Sequence, residues 1–280
     1  MEHDLTDIER RDLDPLSYAV ASRDRSTIKM VQEALKHGNV ALAFQPVLQA
    51  RAPDRIAFYE GLIRIFDETG RVIPAGDFIQ QVEETETGRL IDCAALEQGL
   101  KVLSEVPDIR LALNLSARSI GYPKWMRILR KALMRDQTIG ERLILEITES
   151  SAMLIPELVV NFMTEMRRHG ISFALDDFGA GYTSFRYLRD FLFDILKIDG
   201  QFVRDTATDP DNQVLTRALI AIAEQMDMLT VAEQVETAAD ADWLTRNGID
   251  CLQGYYFAAP TIQRPWDMPE NRPETAATGT

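Results

Sequence analysis

Eight short apolar runs alternate with longer amphipathic stretches along the 280-residue chain, and this alternation restricts its fold more than any other feature. The runs are rich in β-branched and aliphatic residues, which is typical of strands buried on both faces of a parallel sheet. Strands that alternate with helices in this way predict a closed barrel. The predicted strands are 40–46, 56–63, 110–115, 142–148, 172–177, 194–199, 229–234 and 250–255.

The connection between the first two predicted strands, 47–55, is too short to contain a crossover helix. Strands joined so closely pair antiparallel, because a parallel pair needs a connection of about a dozen residues or more. The sequence therefore predicts an α/β fold, a modified TIM (β/α)8-type barrel with an antiparallel first strand.

Two helices of the barrel carry clear end signals. Pro156 begins one helical stretch and Gly170 follows its end, which is the usual order of these two residues. Thr237 stands three residues before Asp240, the spacing of a capping pair, and predicts a helix that ends near Gly248.

Composition changes at both ends of the chain and predicts three segments. Residues 1–35 are a polar extension that becomes helical over 25–37, where apolar residues recur at helical spacing before Gly38. Residues 36–262 form the barrel. Residues 263–280 contain three prolines and many small polar residues, so we expect a disordered tail.

The charge balance excludes several partners. Lys and Arg number 30 against 44 Asp and Glu, a formal net charge of -14. Such a chain repels duplex nucleic acid and anionic membranes. A phosphate-bearing substrate stays possible, because a bound divalent cation reverses the local field.

Cysteine usage and hydropathy favour a cytoplasmic protein. Cys93 and Cys251 are too few for a disulfide framework and form no zinc-binding pair. The acidic start lacks the apolar core of a secretory signal, and no stretch of 18 apolar residues predicts a membrane-spanning helix.

A polar residue stands near the C-terminal end of almost every predicted strand. In a barrel of this class those ends converge on the face that carries active sites. The residues in these positions are Glu60, Asn114, Glu146, Asp176, Asp177, Lys197, Glu233 and Gln253.

Each of these residues alone has an ordinary explanation, as a helix cap or a solvent-exposed group. Together, the five carboxylates would repel one another unless cations were present. Carboxylate and amide oxygens suit Mg2+ or Mn2+ better than zinc. The residues therefore favour a two-metal phosphoesterase, with a one-metal lyase or enolising enzyme as the alternative.

The same residues lie in segments that resemble the EAL family of cyclic di-GMP phosphodiesterases. The resemblance spans roughly residues 36–260, and the segments occur in the family's order. They are FQPV at 44–47, EGLIR at 60–64, NLS at 114–116, LEITES at 145–150, DDFGAGYTSF at 176–185, LKID at 196–199, AEQVET at 232–237 and QGYYF at 253–257.

The resemblance implies a role for each matching residue. The implied metal ligands are Glu60, Asn114, Glu146 and Asp176 for the first ion, with Asp177 added for the second. Lys197 and Glu233 correspond to the catalytic lysine and the proposed general base, and Glu149 to a residue that anchors the loop 178–184. Implied substrate-side residues are Gln45, Leu62, Arg64, Glu236 and Gln253.

The resemblance further implies hydrolysis of cyclic di-GMP to linear pGpG with two Mg2+ or Mn2+ ions, and a homodimer. The alternatives are a catalytically silent cyclic di-GMP receptor and a relative that acts only through protein contacts. Two departures from the family pattern affect the site region: Gly61 replaces an alanine, and Gln234 replaces a glycine beside the proposed base.

Overall fold

The computed structural model describes residues 15–179 and 189–267, and of residues 15–23 only the helical backbone. Within them, eight strands close into a barrel and a short extra strand extends one side. The strands are β1 Val40–Gln49, β2 Ala52–Phe66, β3 Val72–Ile73, β4 Leu111–Asn114, β5 Leu143–Thr148, β6 Ser172–Phe178, β7 Ile195–Ile198, β8 Leu229–Ala232 and β9 Cys251–Leu252.

The predicted antiparallel first strand is confirmed. β1 pairs antiparallel with both β2 and β9, while β2 and β4 to β9 pair parallel in chain order. β1 and β2 are longer than predicted and are joined by a two-residue turn at 50–51, so they form a hairpin. β3 was not predicted, because a two-residue strand is too short to show a periodic pattern.

Helices surround the barrel on the described part of the chain. They are α1 Pro15–His37, α2 Ile79–Val82, α3 Glu86–Glu105, α4 Pro123–Arg135, α5 Glu149–Ala152, α6 Pro156–Arg167, α7 Gly200–Val203, α8 Pro210–Gln225 and α9 Ala238–Arg246. Short 3-10 turns occupy Ala75–Asp77, Ala117–Ser119, Gln137–Arg142 and Pro265–Asp267. No helix in these ranges has the length and apolar character needed to cross a bilayer.

The predicted helix ends are confirmed by their geometry. The Thr237 hydroxyl accepts a hydrogen bond from the Asp240 backbone N–H at 3.1 Å, so α9 has the expected N-cap. Gly170 follows α6 with φ 84° and Gly248 follows α9 with φ 93°, a conformation that glycine adopts without steric cost.

The predicted N-terminal extension is helical over a longer range than expected. α1 begins at Pro15, ten residues before the predicted start, and the polar residues 1–14 lie outside the described residues. Val31 and Ala34 are buried on its inner face, in a cluster with Ile65 of β2. α1 therefore packs onto the barrel wall beside the β1–β2 hairpin, which has no crossover helix of its own.

The first residues of the segment that we expected to be disordered are instead packed against the barrel. Trp266 packs edge-on against Phe44 and Tyr59, with ring centroids 4.9 and 5.2 Å away. Backbone hydrogen bonds between Thr261 and Phe44 hold the preceding segment to β1. This contact covers the outer face of the β1–β2 hairpin, whereas residues 268–280 lie outside the described range.

The barrel interior contains an apolar layer to which each of the eight closing strands contributes one residue, and we call it the lower layer. Side chains alternate between the inside and the outside of the barrel, so the next inward residue lies two positions further along each strand. The lower layer consists of Val47, Phe58, Ala112, Ile144, Ala174, Ile195, Val231 and Cys251.

Candidate active site

Two positions beyond each residue of the lower layer, toward the mouth of the barrel, stands a polar residue. We call this set the mouth layer. In β1, which runs the opposite way, the step is two positions back, and Gln45 pairs directly with Glu60 of β2. The mouth layer comprises Gln45, Glu60, Asn114, Glu146, Asp176, Lys197, Glu233 and Gln253.

Lys197 is the electrostatic centre of the mouth layer. Its side chain is 1% exposed, and its Nζ lies 2.7 Å from Glu233 Oε1 and 2.9 Å from both Glu146 Oε2 and Asp176 Oδ1. Glu60 Oε2 is slightly further away, at 3.7 Å. The four carboxylates thus exceed the single ammonium group by three negative charges when all are ionised.

The Glu60 carboxylate also accepts hydrogen bonds from two amide side chains. Asn114 Nδ2 donates to Glu60 Oε1 at 3.2 Å, and Gln253 Nε2 donates to Glu60 Oε2 at 2.5 Å. Gln253 Nε2 also lies 3.2 Å from Gln45 Oε1, and the Gln45 amide donates to the Ala258 carbonyl at 3.1 Å. Gln253 therefore contacts the carboxylate cluster directly, and Gln45 is linked to it through Gln253.

The pKa values in the mouth layer reflect burial and crowding of charge. Burial raises the pKa of Glu233 to about 8 and that of Glu146 well above its ordinary value, although Lys197 opposes both shifts. Burial alone would lower the pKa of Lys197, but Asp176, Glu146 and Glu233 raise it well above its ordinary value. Lys197 is therefore charged at neutral pH.

Asp177 adjoins this cluster at the open rim of the barrel. Its φ of 55° is unusual for a residue other than glycine. Because of this backbone conformation, its carboxylate departs from the regular inside–outside alternation of the β6 side chains. Burial of the carboxyl group, followed by the charges of Asp176 and Asp199, raises the pKa of Asp177 to about 6. Ligand oxygens of Asp176, Asp177 and Glu233 lie within 4.8 Å of one another.

These donors fit a hard divalent cation. Glu146 Oε1 is buried and has no hydrogen-bond partner among the described residues, so it is left as a free oxygen ligand. Ionisation of all four carboxylates would leave an excess of buried negative charge, which bound cations would balance. Carboxylate and amide oxygens without histidine or cysteine are the donor set that Mg2+ and Mn2+ prefer.

Leu62 and Arg64 follow Glu60 at two-residue steps on β2 and share its face of the strand. Both are half-buried. Arg64 donates to the neighbouring Ile63 carbonyl at 3.2 Å and has no carboxylate partner in the described ranges. Its charge is therefore available to an anion above the mouth layer.

Glu149 lies at the first position of α5, after the end of β5. Its side chain is buried, and Glu149 Oε2 accepts a hydrogen bond from the Gly179 backbone N–H at 3.3 Å. This contact reaches the first residues of the loop 178–184, where the resemblance places an anchor. Positions 180–184 of that loop lie outside the described residues.

Glu236 and Gln234 lie apart from the cluster. Both are exposed, and no described hydrogen bond or ion pair links Glu236 to the mouth layer. Gln234 has φ 54°, and its side chain turns away from Glu233 to accept a hydrogen bond from Arg204. The side chain passes over Gly200, where an added Cβ would come within 2.5 Å of the Gln234 carboxamide.

Asp92 of α3 supports the site and was not predicted. Asp92 Oδ2 accepts hydrogen bonds from the Ser119 hydroxyl at 2.6 Å and the Ser116 backbone N–H at 3.2 Å. It thereby fixes the segment that follows Asn114. No sequence signal marked Asp92, because it lies inside a long helix and far along the chain from its partners.

Comparison with known proteins identifies a family and several relatives. The family model of the EAL domain matches residues 28–260. Signaling protein YkoW of Bacillus subtilis is 31% identical over 252 residues, covering 87% of this chain and 31% of that protein. Cyclic di-GMP phosphodiesterase PdeR of Escherichia coli is 31% identical over 234 residues, covering 82% and 35%. The chain thus spans about a third of the length of these relatives.

Solved structures share the barrel. The FimX EAL domain from Pseudomonas aeruginosa bound to c-di-GMP aligns with a TM-score of 0.77 and 27% identity, over 84% of this chain and 96% of that domain. A MucR phosphodiesterase in complex with c-di-GMP aligns with a TM-score of 0.73 and 30% identity, over 84% and 97%. The family match covers most of the described residues, including every member of the mouth layer. The chain therefore belongs to the EAL domain family.

Proposed function

We propose that this protein is a metal-dependent phosphodiesterase that hydrolyses cyclic di-GMP to linear pGpG. The observation that carries the proposal is the mouth layer, in which four carboxylates converge on Lys197 and, when all are ionised, exceed its charge by three. Relatives named as cyclic di-GMP phosphodiesterases support it, as do neighbouring structures that contain c-di-GMP.

The metal would be Mg2+ or Mn2+, bound as a pair. Glu60, Asn114, Glu146 and Asp176 would hold one ion, and Asp177 together with Asp176 would hold the second. Divalent cations, when bound, lower the pKa of water and neutralise the charge of a phosphodiester.

The protein's own groups would position the reactants and move the proton. Glu233 would accept a proton from the attacking water as that water's oxygen bonds to phosphorus. The bond from phosphorus to the ribose 3′ oxygen breaks, and a proton from solvent water completes the leaving hydroxyl. Lys197 would orient the water and stabilise charge on the phosphoryl oxygens. Arg64 would bind a substrate phosphate.

Other parts of the proposal concern the protein in the cell. A cytoplasmic location and a homodimer stay predictions that follow from composition and from the family resemblance. Light scattering coupled to size-exclusion chromatography of the full chain would measure the mass, and a monomer at all accessible concentrations would contradict the dimer.

The decisive experiment is incubation of the full chain with cyclic di-GMP and Mn2+, beside a sample with excess chelator, followed by chromatography. We expect pGpG to accumulate only with the metal. Binding of cyclic di-GMP without any product would instead indicate the silent receptor. A metal content of one ion per site and no pGpG would favour the lyase alternative.

A further inference from the structure

α4 is strongly basic in an acidic protein. It contains five Lys and Arg residues and no Asp or Glu, whereas the whole chain has a net charge of -14. Arg130 forms an ion pair with Glu165 of α6 at 3.1 Å. Arg127 and Lys131 are both exposed, and neither has an ion-pair partner across the described ranges. The helix therefore presents uncompensated positive charge to solvent.

A groove runs between α4 and α6 beneath these charges. It has a volume of about 910 Å³. Its floor is apolar, with Ile120, Met126 and Phe162 each less than 10% exposed, and Arg127 and Lys131 stand at its rim. The groove thus combines an apolar floor with a rim on which Arg127, Arg130 and Lys131 outnumber Glu165, the layout of a protein-binding site.

The groove continues toward the bottom of the barrel. A second depression of about 780 Å³ shares Arg130 and Met134 with the first and adds Arg168 and His169. Met134, at the junction, is 80% exposed. The 13 residues of α4 correspond to a length of about 20 Å, which matches a bound helix of three to four turns.

We propose that this groove binds an acidic amphipathic segment of a partner protein. The apolar face of such a segment fits the recessed floor, and its carboxylates pair with Arg127, Lys131 and Arg168. A bilayer surface is flat and does not reach a recessed floor. Duplex nucleic acid extends well beyond the groove and meets the repulsion of the acidic surface, whereas a short peptide senses mainly charges within about 10 Å.

The groove lies on the outer wall of the barrel and shares no residue with the mouth layer. The inference thus goes beyond the proposed phosphodiesterase activity and does not depend on it. A partner-binding surface would account for the many Lys and Arg side chains of α4, which neither ion pairs nor packing contacts explain.

The test is fluorescence anisotropy of a labelled peptide of about 16 residues with the full chain. The probe is helical, with Leu on one face and Glu on the other. We expect saturable binding that weakens with added salt. The double variant Arg127→Glu/Lys131→Glu should weaken binding by about tenfold or more.

Lys29→Glu/Lys101→Glu is the matched control. It makes the same charge change at exposed positions outside the groove and should leave the affinity within about twofold of the parent. A peptide of the same composition in scrambled order should bind more weakly, because it cannot present one apolar face. Circular dichroism and thermal melting of each variant establish that the fold is intact.

Three results would overturn the proposal: no binding of the amphipathic peptide, equal binding by the groove variant, or equal binding of the scrambled peptide. Preferential binding of phosphatidylserine vesicles would reassign the surface to a membrane, and preferential binding of duplex DNA to a nucleic acid.

Hydrolysis of cyclic di-GMP, measured on the same samples, should be unaffected by Arg127→Glu/Lys131→Glu. Absence of hydrolysis in the parent would refute the proposed activity and leave the peptide result standing.

Discussion

Lys197 shows how a single buried cation organises a site built from acids. Its ammonium group lies within 3 Å of three carboxylates, of which two lie on β5 and β6 and the third directly follows β8. A buried carboxylate without a partner is costly, so each of these side chains is oriented toward the lysine. Lys197 therefore determines both the shape and the charge of the mouth layer.

We expect Lys197→Ala to lower kcat for cyclic di-GMP by about a thousandfold or more, since it removes the group that orients water and stabilises phosphoryl charge. Nucleotide binding should largely persist, because Arg64 is unchanged. Chromatographic assay of pGpG and calorimetric titration with cyclic di-GMP would measure the two effects. Lys197→Met, which preserves volume, separates lost chemistry from lost packing, and near-parental turnover in both variants would refute the assignment.

Gln234 has a positive φ, a backbone conformation that favours glycine. At φ 54° a side chain is disfavoured, by about 1 kcal/mol, whereas glycine is not. Gln234→Gly and Gln234→Ala both lose the contact with Arg204, and they differ in this backbone cost. We expect Gln234→Gly to be the more stable of the two by about 1 kcal/mol in urea unfolding. Equal stabilities would show that the turn relaxes around the side chain.

At the scale of elements, α3 is coupled to the loop after β4 through Asp92. Burial raises the pKa of Asp92 to about 7, and the hydrogen bonds from Ser119 and Ser116 reduce the shift only in part. An unfolded aspartate titrates near 3.9. Between about pH 4 and 7 the folded protein therefore binds a proton that the unfolded chain has released, and stability falls as pH rises through this window.

Asp92→Asn should remove this contribution. We expect the variant to gain stability relative to the parent, by at least about 1 kcal/mol, as pH rises from 4 to 8. Urea unfolding at several pH values would measure the difference curve. Asp108→Asn, the same substitution at an exposed position, is the control. A pH-independent difference between Asp92→Asn and the parent would contradict the coupling.

For the whole molecule, the crowded mouth layer predicts that folding is linked to metal binding. A cation that binds only the folded state stabilises it by about 2.7 kcal/mol at a hundredfold excess over its Kd. Mn2+ should therefore raise the melting temperature of the parent and a chelator should reverse the rise. Glu146→Gln should reduce the response. The substitution replaces the Glu146 carboxylate, whose Oε1 is the free ligand oxygen, with a neutral amide.

Glu224→Gln, a matched change on the exposed face of α8, should respond to Mn2+ as the parent does. Differential scanning fluorimetry gives all three comparisons without any assay of activity. An Mn2+ response of Glu146→Gln equal to that of the parent would place the cation elsewhere.

The sequence by itself determined the barrel, its antiparallel first strand and seven members of the mouth layer, whereas Gln45 was implied only by the family resemblance. The reason is local: side chains alternate along a strand, and the C-terminal ends of the strands converge on one face of the barrel, so polar residues at the ends of apolar runs are gathered there. The same reasoning covers Glu60, Asn114 and Lys197, which lie on three different strands. The ends of α6 and α9 were also predictable, because capping is encoded within a few residues.

Only the tertiary structure decided which groups meet. Lys197 as the common partner of four carboxylates, Asp92 beneath the loop after β4, and Trp266 on the β1–β2 hairpin depend on contacts between residues distant in the chain. The positive φ of Gln234 and the groove beside α4 are likewise invisible in a local pattern. Periodicity specifies the face on which a side chain lies, whereas barrel closure and helix packing specify what that face touches.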